Sequence, residues 1–386
     1  MGSSSHRKCV MIIAGETSGD QHGARLVRAM KRSDPSLVFC GIGGEALKAA
    51  GVNIIVDAAT LSVVGITEVF ARIPALFRGL SLAKKTLARV RPHLLILIDF
   101  PDFNLHVALK ANTLGIPVLY YISPQIWAWR PGRVKKIGKR VDHVAVILPF
   151  EEEFYRQHQI PVTFVGHPLI DHRLPPPDGV GPAEDAVSIT ALGLLPGSRN
   201  REVVQHLTIM LESARLIQRR AGEMKIIVSK APSVAPNLIS DILQKNVGTM
   251  KVELSNEPIY EMLSRCRMVL AASGTVTLQA TLSLTPMVII YRVSPLSFRL
   301  AKAMVRVRYA GLANLIAGRE VVPELLQDDA TPEKIAAEAY GLLCDPLRLD
   351  RMRREMHAVK KKLGTPGAAE RVARIAQNMI NSFGKT

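Results

Sequence analysis

Short apolar runs, each closed by a glycine- or proline-marked turn and followed by a helical pattern, recur along most of this chain. Residues 9–14 form the first run and end in Gly15-Glu16-Thr17-Ser18-Gly19-Asp20. Leu26, Val27 and Met30 then share one helical face. Residues 37–40 read as a second strand, closed by Gly41-Ile42-Gly43-Gly44. Leu94-Leu95-Ile96-Leu97-Ile98 has no polar interruption, which suits a parallel strand covered on both faces. Further strands are predicted at 118–122, 144–147 and 163–165. Strands alternating with helices predict a doubly wound α/β sheet.

The pattern breaks at Leu174-Pro175-Pro176-Pro177-Asp178-Gly179-Val180-Gly181-Pro182, which can continue neither a helix nor a central strand and reads as a linker. It restarts with a strand at 191–195, the loop Pro196-Gly197-Ser198-Arg199, and a helix through Val203, Leu207, Met210 and Leu211. Strands follow at 225–228, 268–272 and 287–291, and residues from about 332 onward look helical and charged. The expectation is two similar α/β domains, 1–174 and 183–350, facing a central cleft, with a separate helical segment at 351–386.

Residue balance narrows the function. With 386 residues, 48% hydrophobic and 22% charged, the chain has a large core to bury and is not disordered. Its formal charge of +17 favours polyanions such as nucleic acid, nucleotides or an anionic membrane face. The positive mean hydropathy of +0.16 shifts that choice toward a membrane, and the 5% aromatic content leaves few platforms for stacked bases, so nucleic acid is not expected. Cys9, Cys40, Cys266 and Cys344 form no Cys-x-x-Cys motif and suit reduced thiols in the cytoplasm. Met1 leads into Gly-Ser-Ser-Ser without a signal-peptide pattern, and His6 spoils the resemblance to a myristoylation site. No apolar run reaches the ~18 residues of a spanning helix, so a membrane would be met at its surface.

Ligands of open parallel sheets bind beyond the carboxyl ends of strands. Asp99 follows the most apolar strand and reads either as a general base or as turn chemistry, whereas Asp102 suits the turn or a helix cap. Gly197, Ser198 and Arg199 lie between strand and helix. The glycine admits close backbone approach, Ser198 can cap, the amides face an anion, and Arg199 adds a fork for diphosphate oxygens; an ordinary capped loop is the plain alternative. Ser273, Gly274 and Thr275 form a second such loop, and the pair suits one nucleotide diphosphate site. There is no Walker motif, no Gly-x-Gly-x-x-Gly opening the first helix, no Asp-x-Asp and no His-x-His, so no metal or cofactor is expected; His22, His93 and His167 read as structural. Arg130–Arg140 carries six cations after Trp127-Ala128-Trp129, and residues 63–90 mix large apolar side chains with Arg72, Arg78, Lys84, Lys85 and Arg89. The first suits nucleic acid, a membrane interface or a plain solvated face, and the second an interfacial element or a core-packing helix.

Together these stretches resemble the lipid-A-disaccharide synthases, inverting glycosyltransferases of the GT-B type with two Rossmann-like domains. The resemblance runs through residues 14–20, Ile98-Asp99-Phe100-Pro101-Asp102-Phe103-Asn104, Ser123-Pro124-Gln125-Ile126-Trp127-Ala128-Trp129-Arg130, 194–199, 272–275 and Asn314-Leu315-Ile316-Ala317-Gly318-Arg319-Glu320. It implies UDP-2,3-diacylglucosamine as donor, 2,3-diacylglucosamine 1-phosphate as acceptor, a β-1,6 linkage and release of UDP. It also implies a peripheral place on the cytoplasmic side of the inner membrane, and is compatible with a homo-oligomer. Carried over by position, Asp99 is the general base. Gly197, Ser198, Arg199, Ser273, Gly274, Thr275, Asn314 and Glu320 contact the donor, and Glu16, Ser18 and Asp20 face them across the cleft. Where the family has a ribose-binding Glu, this chain has Gln279, which keeps one acceptor and loses the charge. Rival readings are a UDP-sugar 2-epimerase, a peptidoglycan-type transferase, or a non-catalytic basic module that binds RNA or a membrane.

Overall fold

A computed structural model describes residues 7–61, 66–129, 131–171, 191–294, 298 and 307–383. The chain divides into two units, Met1–Asp171 with Leu363–Thr386, and His172–Lys362. The proline-rich linker expected at 174–182 lies outside the described residues.

The first unit contains β1 (Cys9–Ala14), α1 (Thr17–Ser33), β2 (Val38–Gly43), α2 (Glu45–Ala49), β3 (Val52–Asp57), α3 (Ile66–Val90), β4 (Leu94–Ile98), α4 (Pro101–Thr113) and β5 (Val118–Tyr121). It continues with α5 (Ile126–Trp129), α6 (Val134–Gly138), β6 (His143–Val146), α7 (Pro149–Gln157) and β7 (Val162–Phe164). All strands pair in parallel, in the order β3-β2-β1-β4-β5-β6-β7. The strand period of two sends Val10, Ile12 and Ala14 into one apolar layer and Met11 and Ile13 into the other. That two-sided burial is why β4 reads as five apolar residues in a row.

The second unit repeats the plan with β8 (Ala191–Leu195), α8 (Asn200–Ala221), β9 (Ile226–Ser229), α9 (Leu238–Asn246), β10 (Val252–Ser255), α10 (Ile259–Ser264), β11 (Cys266–Ala272), α11 (Thr275–Leu282), β12 (Met287–Tyr291) and β13 (Glu324–Leu326). Its order, β10-β9-β8-β11-β12-β13, is again that of a Rossmann sheet. In both sheets the strand order reverses beside the first strand, between β1 and β4 and between β8 and β11.

The separate helical segment expected at 351–386 is not a unit of its own. Helix Pro346–Lys362 buries Leu349, Met352, Met356 and Val359 and packs on α11 and helix Leu312–Ala317 of the second unit. Helix Ala368–Phe383 instead puts Val372, Ala373, Ala376 and Ile380 into the core of the first unit, against α1. The first stripe is covered by neighbouring helices, the second by α1 and the apolar layer of the first sheet. Among the described residues, no helix is long and apolar enough to cross a membrane.

Asp20 illustrates how the first unit is locked. It lies in α1, 6% exposed, and its carboxylate accepts from the backbone N–H of Gly44 (2.7 Å), Ala46 (2.9 Å) and Leu47 (3.2 Å). These are the orphan donors at the start of α2. A Cβ on Gly44 would meet Asp20 Oδ2 at 2.9 Å, so the glycine lets the carboxylate approach. Asp20, expected to face a ligand, is therefore committed to the backbone. Asp20→Ala should destabilise the first unit by about 2–4 kcal/mol, because buried donors left without a charged acceptor cost roughly 1–3 kcal/mol each. Urea denaturation followed by tryptophan fluorescence checks this, since Trp127 and Trp129 both lie in that unit. A loss below about 0.5 kcal/mol, the range of neutral surface changes, would contradict it.

Candidate active site

In the first unit, Ala14 pairs with Ile98 across β1 and β4, so Gly15-Glu16 and Asp99 emerge side by side at the point of reversal. The turn there is strained: Asp99 and Phe100, neither of them glycine, both adopt left-handed backbone (φ 46° and 49°). Its neighbours hold it. Asp99 N–H donates to the Ile122 carbonyl (3.2 Å), and the Asp99 carbonyl accepts from Asn104 Nδ2 (2.6 Å) and the Tyr120 hydroxyl (2.8 Å). The Phe100 ring stacks on Phe103 (4.9 Å) and lies so close over Gly15 that a Cβ there would meet its Cγ at 2.3 Å. Gly15 thus has its reason in packing.

Asp99 is half-buried. Burial, with a smaller push from the Glu16 carboxylate, raises its pKa from 3.8 to about 6 against a pull down from the Phe100 N–H. A carboxyl poised there can take a proton near neutral pH. Glu16 and Ser18 are exposed at the start of α1, with Glu16 as N-cap.

In the second unit, Leu195 pairs with Ala271 across β8 and β11, which brings residues 197–199 and 273–275 together at the corresponding reversal. The two loops, alike in sequence, differ in structure. Around Gly197, Glu202 Oε2 accepts from the N–H groups of Ser198 (3.1 Å) and Arg199 (3.2 Å), and Oε1 pairs with the Arg199 guanidinium (3.2 Å). The amides expected to face a diphosphate are taken by the chain's own carboxylate. Arg199, not Ser198, is the N-cap of α8, and its side chain is 82% exposed. At the other loop Gly274 caps α11 without a side-chain hydrogen bond, nothing lies within 4 Å of where its Cβ would be, and Thr275 is exposed. Ser273 Oγ ties the loop to the Ala310 carbonyl (2.9 Å). This second loop is the one whose helix end is open to an anion. Gln279 sits about one turn along α11, half-buried.

Asn314 is fully buried. Its Nδ2 donates to the Val322 carbonyl (2.8 Å) and Glu324 Oε1 (2.7 Å), and its Oδ1 accepts from Val321 N–H (2.7 Å) and Val322 N–H (3.0 Å). Both donors and both acceptors are used, so it cannot contact a donor sugar. Glu324 also accepts from the N–H groups of Ala310 (2.7 Å) and Gly311 (2.9 Å), so the pair holds the backbone behind the Ser273 loop. Glu320 is exposed and lines a cavity of about 190 Å³ with Arg319, Arg348 and Arg351.

The sequence pattern did not single out His206, Glu202 or Tyr120. His206 Nδ1 donates to the Pro196 carbonyl (3.2 Å) and its Nε2 accepts from Arg292 N–H (3.1 Å), which ties the Gly197 loop to the end of β12. Burial lowers its pKa, in keeping with a neutral ring. Glu202 carried one legible sign, its place three residues after the N-cap. Asp102 pairs with Arg133 (2.5 Å) and, of the six cations at 130–140, Arg140 donates to the Leu105 carbonyl (3.0 Å). Among the described residues, no cluster of three or more His, Cys, Asp or Glu side chains could hold a metal ion.

Comparison with known proteins bears on the fold and the family. Two solved structures share the fold: a UDP co-structure of MnaA from S. aureus (TM-score 0.66, 13% identity, 97% of each chain) and CalG4, the calicheamicin glycosyltransferase (TM-score 0.59, 14% identity, 97% of this chain and 99% of that one). Both sheets and their order are thus those of the two-Rossmann GT-B fold. A lipid-A-disaccharide synthase of Geobacter sulfurreducens is 44% identical over 97% of this chain and 98% of its own length. The family model described as lipid-A-disaccharide synthetase matches residues 10–379, and the chain belongs to that family.

Proposed function

We propose that Asp99 is the general base of a metal-independent, inverting transfer from a UDP-sugar to a lipid-linked sugar phosphate, forming the lipid A disaccharide. The donor in this reading is UDP-2,3-diacylglucosamine, the acceptor 2,3-diacylglucosamine 1-phosphate, and the linkage β-1,6. The observation that carries it is the half-buried Asp99 carboxyl at the point of strand reversal, with its pKa pushed up to about 6. Asp99 takes the proton of the acceptor's primary hydroxyl as that oxygen attacks the anomeric carbon on the face opposite UDP. Charge grows on the departing diphosphate, where the open N-terminus of α11 and the Arg199 guanidinium stabilise it more than in the ground state. Arg199 first releases Glu202, an exchange eased by the exposure of the arginine side chain. Gln279 takes the ribose through a neutral hydrogen bond, and Glu320 completes the donor contacts.

The acylated substrates place the enzyme at the cytoplasmic side of the inner membrane in this reading, and α3 is its contact surface. Of the segment 63–90, side chains before Pro74 lie outside the described residues, Val69 and Phe70 among them. In the described part Phe77 is 68% and Leu82 43% exposed, alongside exposed Arg78, Lys85 and Arg89. Exposed apolar side chains among basic ones suit an anionic interface, where each cation contributes about 1 kcal/mol.

Three outcomes are expected. Asp99→Asn loses about 10²–10⁴-fold in turnover while keeping its affinity for UDP. In the parent, kcat/KM falls as pH drops through about 6. Since the folded pKa is raised above 3.8, the carboxyl's contribution to stability is full below that value and lost as pH rises through about 6. Asp99→Asn is therefore more stable than the parent at about pH 8, by ~1–3 kcal/mol at 1.36 kcal/mol per unit. Near-normal turnover in the variant removes Asp99 from the role.

EDTA leaves the rate unchanged, and Arg199→Ala weakens UDP binding by roughly 1.5–3 kcal/mol, the range for a hydrogen bond to a charged group. Calorimetric titration with UDP measures this, and strict dependence on added magnesium or manganese contradicts the account.

Phe77→Ser with Leu82→Ser weakens binding to anionic vesicles and leaves the melting temperature within about 2 °C, as expected for exposed positions. Unchanged vesicle binding, read by cosedimentation at low and high salt, rules out this face.

A further inference from the structure

Both tryptophans of the chain fall within three residues of each other, just beyond β5, and the proposed chemistry makes no use of either. Trp127 is half-buried and anchored by a group that has no obvious reason to be ionisable. Glu151, in the first turn of α7, is 2% exposed. Its Oε1 accepts from Trp127 Nε1–H (3.0 Å) and its Oε2 from Leu148 N–H (3.0 Å), at the cap of its own helix. The indole also meets the Phe150 ring edge-on at 4.7 Å. At the far end of the same segment, Arg133, with a side chain only 18% exposed, pairs with Asp102 at 2.5 Å.

These two anchors sit on different elements. Glu151 and Phe150 belong to α7, which follows β6, and Asp102 belongs to the first turn of α4, three residues beyond Asp99. Strands β4, β5 and β6 are neighbours, and Asp99 N–H bonds the Ile122 carbonyl where the segment begins. The described residues of this stretch, 123–129 and 131–133, are therefore tied down at two points, one on α4 three residues beyond the base and one on α7 beyond β6. A buried carboxylate is a costly way to hold a loop whose only task is to cover the sheet, because its desolvation must be offset by the bonds it makes. It is a suitable way to fix the plane of an aromatic ring, since the acceptor oxygen sets the direction of the indole N–H.

We propose that residues 123–128 form a wall of the acceptor-sugar site, with the Trp127 ring against the apolar face of a pyranose, and that Glu151 and, through Arg133, Asp102 are positioning residues. The proposal rests on Asp99 being the base. Its ligand is the sugar ring of an amphipathic hexosamine phosphate, whose C–H face an aromatic wall can cover while its hydroxyl is directed to Asp99.

The test uses the full-length enzyme carrying Trp129→Phe, so that fluorescence reports Trp127 alone. Glu151→Ala should raise the acceptor KM by about tenfold or more, shift the Trp127 emission, and leave UDP affinity unchanged. Glu151→Gln, which keeps one oxygen for the indole, should recover part of the acceptor KM. Trp127→Phe retains the bond from Leu148 to Glu151 and should show the same acceptor defect, which keeps the test valid should Glu151→Ala fail to fold. A folded Glu151→Ala or Trp127→Phe enzyme with an unchanged acceptor KM overturns the proposal. So does an equal loss for donor and acceptor. Full activity in Asp99→Asn alongside a selective acceptor defect in Glu151→Ala would remove the base and leave the wall standing.

Discussion

Two consecutive left-handed residues, neither a glycine, end β4, and the first unit is arranged to keep them there. Each costs on the order of 1–3 kcal/mol in isolation, so the surroundings must over-determine the turn. Asn104 and Tyr120 hold the Asp99 carbonyl, Ile122 receives its N–H, and Gly15 leaves room for the Phe100 ring. Those partners come from α4, from β5 with the residue that follows it, and from the β1–α1 turn, so three pieces of chain depend on one dipeptide. The same arrangement keeps the carboxyl half-buried near Glu16 and raises its pKa. The strained backbone and the raised pKa have one cause.

The second unit treats its two strand-end loops differently. An amide-rich loop at a helix start attracts anions whether or not substrate is present. At the Gly197 loop a carboxylate of the chain occupies the place, held by neighbours and replaceable because the Arg199 side chain is exposed. At the Ser273 loop the helix end stays open, and the buried Asn314–Glu324 pair stiffens the backbone behind it. One loop has its amides taken by a carboxylate of the chain, and the other leaves its helix start without one.

The central strands were legible because burial on both faces leaves no polar residue in them, as in β4 and β1. The strands that escaped notice, β3, β10 and β13, lie at sheet edges or are three residues long, and their partial exposure dilutes the apolar signal. Asp20 and Asn314 sit in motifs that identify the family, yet both serve the backbone. A motif shows that a residue type is needed at a position and does not distinguish a ligand contact from a hydrogen bond that shapes the loop.

Taken alone, the order of residues determined the doubly wound class, the two-fold repetition of the plan, the strand ends where chemistry belongs and the family itself, because hydrophobic period and short motifs are local properties of the chain. The tertiary structure decided which of those polar groups remain available. Asp99 gains its raised pKa from burial and from Glu16, a residue 83 positions away in the chain (99 − 16). Asp20, Asn314 and the Ser198 amide lose their freedom to partners set by the fold or by local geometry. The C-terminal helix joins the first unit because that is where an apolar face lacked cover. Pairing of this kind depends on distances in space, and a hydrogen bond already made to the backbone is invisible until the backbone is in place.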